Sequence, residues 1–230
     1  MMCYKHPIKD ENEYRRAISH IQSGISLWGQ RNMRKYPWRE TQDVYKIMVA
    51  EIMLHRTKSD QVKELYRAFV EKYPDFKSIV LAGRETIESE LRPLGLRWRA
   101  KLFYEMAEEV VEKYGGILPA DRERLMQLPG VGHYISSAVL CFGYNLPAAI
   151  LDVNTVRIIG RFFGIKVNDS SRRSRKFEKI MHDLVLHGEP KQFSLSMIDF
   201  AAAICIPGDK PRCQICPIKD GCCFYEGMVV

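Results

Sequence analysis

The 230-residue chain has no apolar run approaching the roughly 20 residues that span a bilayer. Its first stretch, MMCYKHPIKDENEYRR, lacks the apolar segment of a secretory signal. A soluble, intracellular protein is therefore expected. Alternating apolar and polar runs are scarce, which argues against a sheet, and no internal repeat or low-complexity tract is present, which argues against a solenoid or a disordered linker. Cysteine is sparse for a disulfide scaffold: there are seven, and five of them fall within residues 205–223. In a reducing compartment such crowding favours a metal site.

Apolar residues recur at helical spacing, as in Leu125, Leu128, Ile135, Ala138, Val139 and Phe142. Breaks fall at Lys35-Tyr36-Pro37, Lys72-Tyr73-Pro74, Tyr114-Gly115-Gly116, Pro129-Gly130, Asn145-Leu146-Pro147 and Gly188-Glu189-Pro190. Segments of about 10 to 20 residues between them are helix-sized, and the expected fold is all-α. Lys and Arg number 35 against 28 Asp and Glu, a net charge of +7 that suits a polyanionic partner without proving one. The run Ser170-Ser171-Arg172-Arg173-Ser174-Arg175-Lys176 reads as a solvated helix entry or as a phosphate contact.

Leu128-Pro129-Gly130-Val131-Gly132 places two glycines, one residue apart, where the helical pattern restarts. Glycines there can adopt positive φ and turn backbone N–H groups toward an anion at the start of the next helix. A glycine turn alone also serves simply to reverse the chain. Asp152 follows in Ile150-Leu151-Asp152-Val153-Asn154, either as the N-cap of a helix through Val156 and Ile159 or as a carboxylate for chemistry. Cys205, Cys213, Cys216 and Cys222 have the spacing C-x7-C-x2-C-x5-C, which can gather four thiolates around zinc or an iron–sulfur cluster. One close pair flanked by singles leans toward [4Fe-4S]. Cys223 competes with Cys222 for the fourth place, while Cys3 and Cys141 read as ordinary thiols.

Together, the LPGVG turn, Asp152 and the terminal cysteines resemble the helix-hairpin-helix DNA glycosylases that carry an iron–sulfur cluster, the group of endonuclease III, the adenine mismatch glycosylases and the archaeal thymine mismatch glycosylases. The likeness runs from Tyr36-Pro37-Trp38-Arg39 through Glu51-Ile52-Met53-Leu54-His55-Arg56-Thr57 to Met197-Ile198-Asp199-Phe200 and the cysteines. It implies two helical domains, a six-helix domain over residues 35–145 holding the hairpin and a second over 1–34 and 146–230 holding the cluster, with DNA in the cleft between them. The family's first cysteine gap is usually six residues, and here seven separate Cys205 from Cys213. The chain ends soon after the cysteines, so no additional C-terminal domain like that of the adenine enzymes is expected.

The resemblance also assigns roles. Hydrolysis of an N-glycosidic bond builds positive charge on the sugar, and Asp152 is the carboxylate expected to stabilise it. Glu51 shares a helical face with Ile47, Met48 and Leu54; it matches a general acid of the adenine enzymes, although a buried acid paired with an arginine would look the same. Tyr134 stands where bifunctional relatives carry a lysine nucleophile, so no imine is expected and the enzyme is read as lacking lyase activity; the plainer reading is a core aromatic. Gly130, Val131 and Gly132 would grip DNA phosphates. His55 and Arg56, with Arg97 or Trp98, would probe the gap left by an extruded base. The expected partner is double-stranded DNA containing a mismatch, bound by a monomer. The expected activity is removal of thymine or uracil mispaired with guanine. The alternatives are adenine removal opposite guanine or 8-oxoguanine, and a non-catalytic iron–sulfur DNA-binding protein.

Overall fold

A computed structural model describes residues 3–55, 57–95, 97–186 and 188–229, the side chains of Arg97 and Val229 excepted. In chain order the helices are α1 (Glu11–Asn32), α2 (Pro37–Glu40), α3 (Val44–Leu54), α4 (Ser59–Lys72), α5 (Phe76–Ala82), α6 (Arg84–Leu91), α7 (Arg97–Tyr114), α8 (Arg122–Gln127), α9 (His133–Ala138), α10 (Val153–Phe163), α11 (Arg175–Val185), α12 (Pro190–Ala203) and α13 (Cys223–Val229). No strand occurs among the described residues, so the fold is all-α as expected. No helix is long and apolar enough to cross a membrane among the described residues. The chain divides into two compact units, Lys35–Asn145, and Met1–Arg34 together with Leu146–Val230.

In the unit Lys35–Asn145, short acidic side chains set the helix starts. Asp43 accepts hydrogen bonds from the Tyr45 and Lys46 amides, Asp75 closes a capping box with Ser78, and Asp121 accepts from the Arg124 amide at 2.9 Å. The apolar run of α3 is too continuous for a one-faced helix, and Tyr45 and residues 47–53 are all buried. This helix packs against α4, α9 and the π-helical turn Val139–Gly143 that prolongs α9. Gly143 permits that approach, since a Cβ there would come within 3.2 Å of Val44. The Tyr45 hydroxyl donates to the Tyr73 carbonyl, tying α3 to the end of α4.

In the other unit, α1 lies closely against α12 because Gly29 has no side chain: a Cβ there would stand 2.0 Å from the Ser196 hydroxyl oxygen. Trp28 meets Phe200 edge to face at 5.4 Å. The buried Asp199 carboxylate accepts from the Arg34 amide and from its Nε, both at 2.7 Å, which fixes the chain leaving α1. The helix α10 buries Val156, Ile159, Phe162 and Phe163 and ends at Gly164 in the left-handed conformation (φ 64°). The N-terminal arm lies along the cysteine segment: the Tyr4 amide donates to the Gly221 carbonyl at 2.9 Å and the Tyr4 ring stacks on Phe162 at 5.8 Å.

Candidate functional site

The glycine turn joins α8 to α9. Gly130 has φ 75°, the left-handed conformation that favours glycine, and a Cβ there would come within 3.2 Å of Leu102 on α7. Gly132 differs from the sequence expectation: it is extended (φ −100°, ψ −176°) and serves as the N-cap of α9. A Cβ at Gly132 would meet nothing within 4 Å, so neither backbone conformation nor packing within the protein calls for glycine there. What glycine does provide is an open approach to the first amides of α9. Val131 is buried and its amide donates to the Leu128 carbonyl at 3.1 Å, so this residue builds the turn instead of presenting a group outward.

In the same unit, Glu51 is buried (7% exposed) among the apolar side chains of α3. A carboxyl group in such surroundings is expensive unless it is hydrogen-bonded or used. Tyr134 lies partly buried in the first turn of α9, two residues beyond Gly132. His55 is exposed and caps the C-terminus of α3, where its carbonyl accepts a hydrogen bond from Arg99 Nη1. Trp98, at the start of α7, is 61% exposed. Arg56 and the Arg97 side chain lie outside the described residues.

Asp152 belongs to the other unit and caps α10. Its Oδ1 accepts from the Asn154 and Thr155 amides, both at 2.8 Å, while the Thr155 hydroxyl accepts from its amide in a capping box. Its Oδ2 accepts from the Asn154 side-chain amide at 2.8 Å. Asn154 Oδ1 in turn accepts from Arg157, whose guanidinium also donates to the carbonyls of Cys205 (2.8 Å) and Ala201 (3.0 Å). A continuous hydrogen-bonded path therefore leads from the half-buried carboxylate to the first cysteine of the terminal cluster.

Cys205, Cys213, Cys216 and Cys222 line one largely enclosed apolar cavity with Ile158, Phe162 and Phe200. Burial pushes the Cys216 thiol up to about 12 and the Cys222 thiol up to about 11. Hydrogen bonds from the Ile218 backbone to Cys216, and from the Tyr225 and Phe224 backbone to Cys222, pull the other way by favouring the thiolate. Arg161 Nη1 reaches Cys205 Sγ at 3.4 Å and its guanidinium lies 4.5 Å from the Phe224 ring centroid. Cys223 instead lines a separate groove beside Gly164 and hydrogen-bonds Cys3. Among the described residues no three His, Cys, Asp or Glu side chains are grouped to hold a metal ion.

The structure thus gathers the four named cysteines around one cavity and places Glu51, Tyr134, His55, Trp98 and the hairpin in one unit, with Asp152 in the other. Asn154, Arg157, Arg161 and Arg99 went unmarked in the sequence. Arg157 and Arg161 had a readable signal, being two cations one helical turn apart on a helix whose other face is apolar, in a chain with a thiolate cluster.

The family described as HhH-GPD superfamily base excision DNA repair protein matches residues 49–183. The chain belongs to this superfamily. Its family relatives include the thymine/uracil-DNA glycosylase of Methanothermobacter thermautotrophicus, 36% identical over 203 residues, covering 88% of this chain and 91% of that protein. The thymine-DNA glycosylase of Aeropyrum pernix is 36% identical over 196 residues, covering 83% of this chain and 86% of that one. The solved structure of a thermostable thymine-DNA glycosylase superposes with a TM-score of 0.87 at 34% identity, covering 93% of this chain and 98% of that chain. A trapped endonuclease III–DNA intermediate, 21% identical with a TM-score of 0.77, shares the HhH-GPD fold. The chain is accordingly a DNA glycosylase of base excision repair.

Proposed function

We propose that this chain is a monofunctional glycosylase that extrudes thymine or uracil mispaired with guanine and hydrolyses its N-glycosidic bond. The observation that carries the target base is the 36% identity to a thymine/uracil-DNA glycosylase over nine-tenths of both chains. The adenine DNA glycosylase of Buchnera aphidicola subsp. Baizongia pistaciae is 31% identical, and the match covers 53% of it.

In the reaction, the bond between the sugar's anomeric carbon and the base breaks with both electrons leaving on the base. Asp152 stabilises the positive charge left on the sugar, and water then adds at the same carbon and loses a proton. Asp152 suits that task because its cap bonds and Asn154 hold both oxygens in fixed directions before charge develops. Glu51 supplies a proton or a hydrogen bond to the departing base from its buried place on α3. Tyr134 lines the sugar without attacking it, since a phenol cannot form an imine. The Gly130 and Gly132 turn approaches the phosphates, and His55, Arg56, Arg97 and Trp98 fill and inspect the gap.

The four cysteines fit a [4Fe-4S] cluster. They share one apolar cavity and receive backbone and Arg161 hydrogen bonds suited to anionic sulfur. When bound, the cluster would link the cysteine segment covalently and draw Cys205, Cys213, Cys216 and Cys222 as thiolates. The chain is read as a monomer acting on double-stranded DNA inside the cell.

The decisive test is single-turnover base release from duplexes carrying T or U opposite G, A opposite G, and A opposite 8-oxoguanine. Thymine and uracil release is expected. Adenine release without pyrimidine release would overturn the target base, and DNA binding with no release from any duplex would favour the non-catalytic alternative.

A further inference from the structure

Of the three tryptophans, Trp98 alone is exposed, at 61%. An exposed indole at the start of a helix has a free π-face, the surface on which a nucleobase stacks regardless of sequence. The next residue runs the opposite way. Arg99 is only 7% exposed, and its guanidinium carbon sits 4.7 Å from the Trp98 ring centroid. The same guanidinium, through Nη1, holds the carbonyl of His55 where α3 ends. One planar cation therefore backs the exposed indole and ties it to a turn 44 residues earlier in the chain.

Resting on the glycosylase reading above, we propose that Arg99 is a positioning residue that locks the turn after α3 and the Trp98 indole into one rigid unit, with Trp98 stacking on a base beside the vacated position. The physical logic is preorganisation. Two short segments that each had to be ordered on DNA would lose rotamer and backbone freedom at the moment of extrusion. Pinned by a common guanidinium, they meet the duplex already set, so their stacking offsets the unpairing and unstacking of the target nucleotide. Arg99 itself needs no contact with DNA for this. Lysine could keep the charge beneath the indole, but as a point donor it does not reproduce the planar fork that faces the ring and the carbonyl together.

The test uses the full chain and two duplexes, uracil opposite guanine and uracil opposite an abasic-site analogue, where less pairing has to be broken. Arg99→Met and Trp98→Ala should each raise the ratio of the abasic-duplex rate to the G·U rate by about tenfold or more, the value of one lost base stack. The double variant should shift that ratio no further than Arg99→Met does alone, because both act through one unit. Arg99→Lys should fall between wild type and Arg99→Met, and it carries the test if the methionine variant does not fold. Equal slowing on both duplexes would mean that Arg99 only supports the fold, and multiplicative effects of the two substitutions would mean that the segments act separately; either result overturns the proposal. A wild-type chain inert on both duplexes would sink the glycosylase reading itself, and this inference with it.

Discussion

In the proposed reaction one side chain, Asp152, serves structure and chemistry together. As an N-cap it contributes about 1 kcal/mol to α10, and asparagine caps nearly as well. Asp152→Asn should therefore leave the melting temperature within a few degrees and mismatch binding near wild type, while single-turnover release falls at least about a hundredfold because the charge facing the sugar is gone. Parallel loss of binding and release would reassign Asp152 to the fold. Tyr134→Lys places an amine where the phenol stands in the first turn of α9; the expected outcome is strand cleavage with an adduct trapped by borohydride, and a lack of any adduct would move Tyr134 away from the sugar. At this scale the residues named from the sequence are those that sit in recognisable spacings. Asn154, Arg157 and Arg99 escaped it because their partners are backbone carbonyls 44 to 48 residues away, or a neighbour reached only once the helix forms. No spacing rule marks such contacts.

Among the elements, the hairpin separates two kinds of glycine. Gly130→Ala puts a Cβ on a left-handed backbone and against Leu102, a change that should cost about 1–2 kcal/mol and lower the urea midpoint. Gly132→Ala meets neither obstacle, so stability should hold or rise by a few tenths of a kcal/mol while affinity for any duplex, matched or mismatched, weakens. Equal behaviour of the two variants in both assays would remove the phosphate role from Gly132. The glycine pair was legible, but its division of labour was not, because glycine is compatible with either backbone conformation and only Gly130 lies against Leu102 of α7. The helix α3 was likewise legible as a helix while its burial on nearly every side was not. Within that core, burial first, then the negative charges of Asp75 and Asp43, raise the Tyr45 phenol well above its ordinary value. The folded state thus retains a proton that the unfolded chain releases above about pH 10, so this group's contribution is whole below that pH and fades as pH rises further. Tyr45→Phe should cost about 1 kcal/mol at pH 8, and the gap to wild type in urea unfolding should narrow by pH 11. A gap that stayed constant would mean that Tyr45 ionises alike in both states.

For the molecule as a whole, helical spacing and Pro or Gly punctuation were enough to read an all-α chain, because those signals are local and repeated at Pro37, Pro74, Gly115, Gly130, Pro147 and Pro190. The link between the terminal cysteines and α10 was not readable, since it is made by arginines reaching carbonyls in another segment. With the proposed cluster on the four cysteines, that link gives iron removal a specific expected reach. Without the cluster, buried Cys216 and Cys222 return to thiols, Arg161 loses an anionic sulfur at Cys205, and the Cys205 carbonyl no longer holds Arg157 firmly. Loosening should pass along Arg157 and Asn154 to the Asp152 carboxylate, while α3, which packs on α2, α4, α9 and the π-helical turn within its own unit, contributes no residue to that path. Chelation under oxidising conditions should therefore remove absorbance near about 400 nm and abolish base release, with amide exchange accelerating in α10 and α13 while α3 amides stay protected. Equal acceleration in α3 would show that the two units unfold as one and that the cluster supports the whole chain, whereas unchanged exchange in α10 would sever the proposed path from the cysteines to the carboxylate.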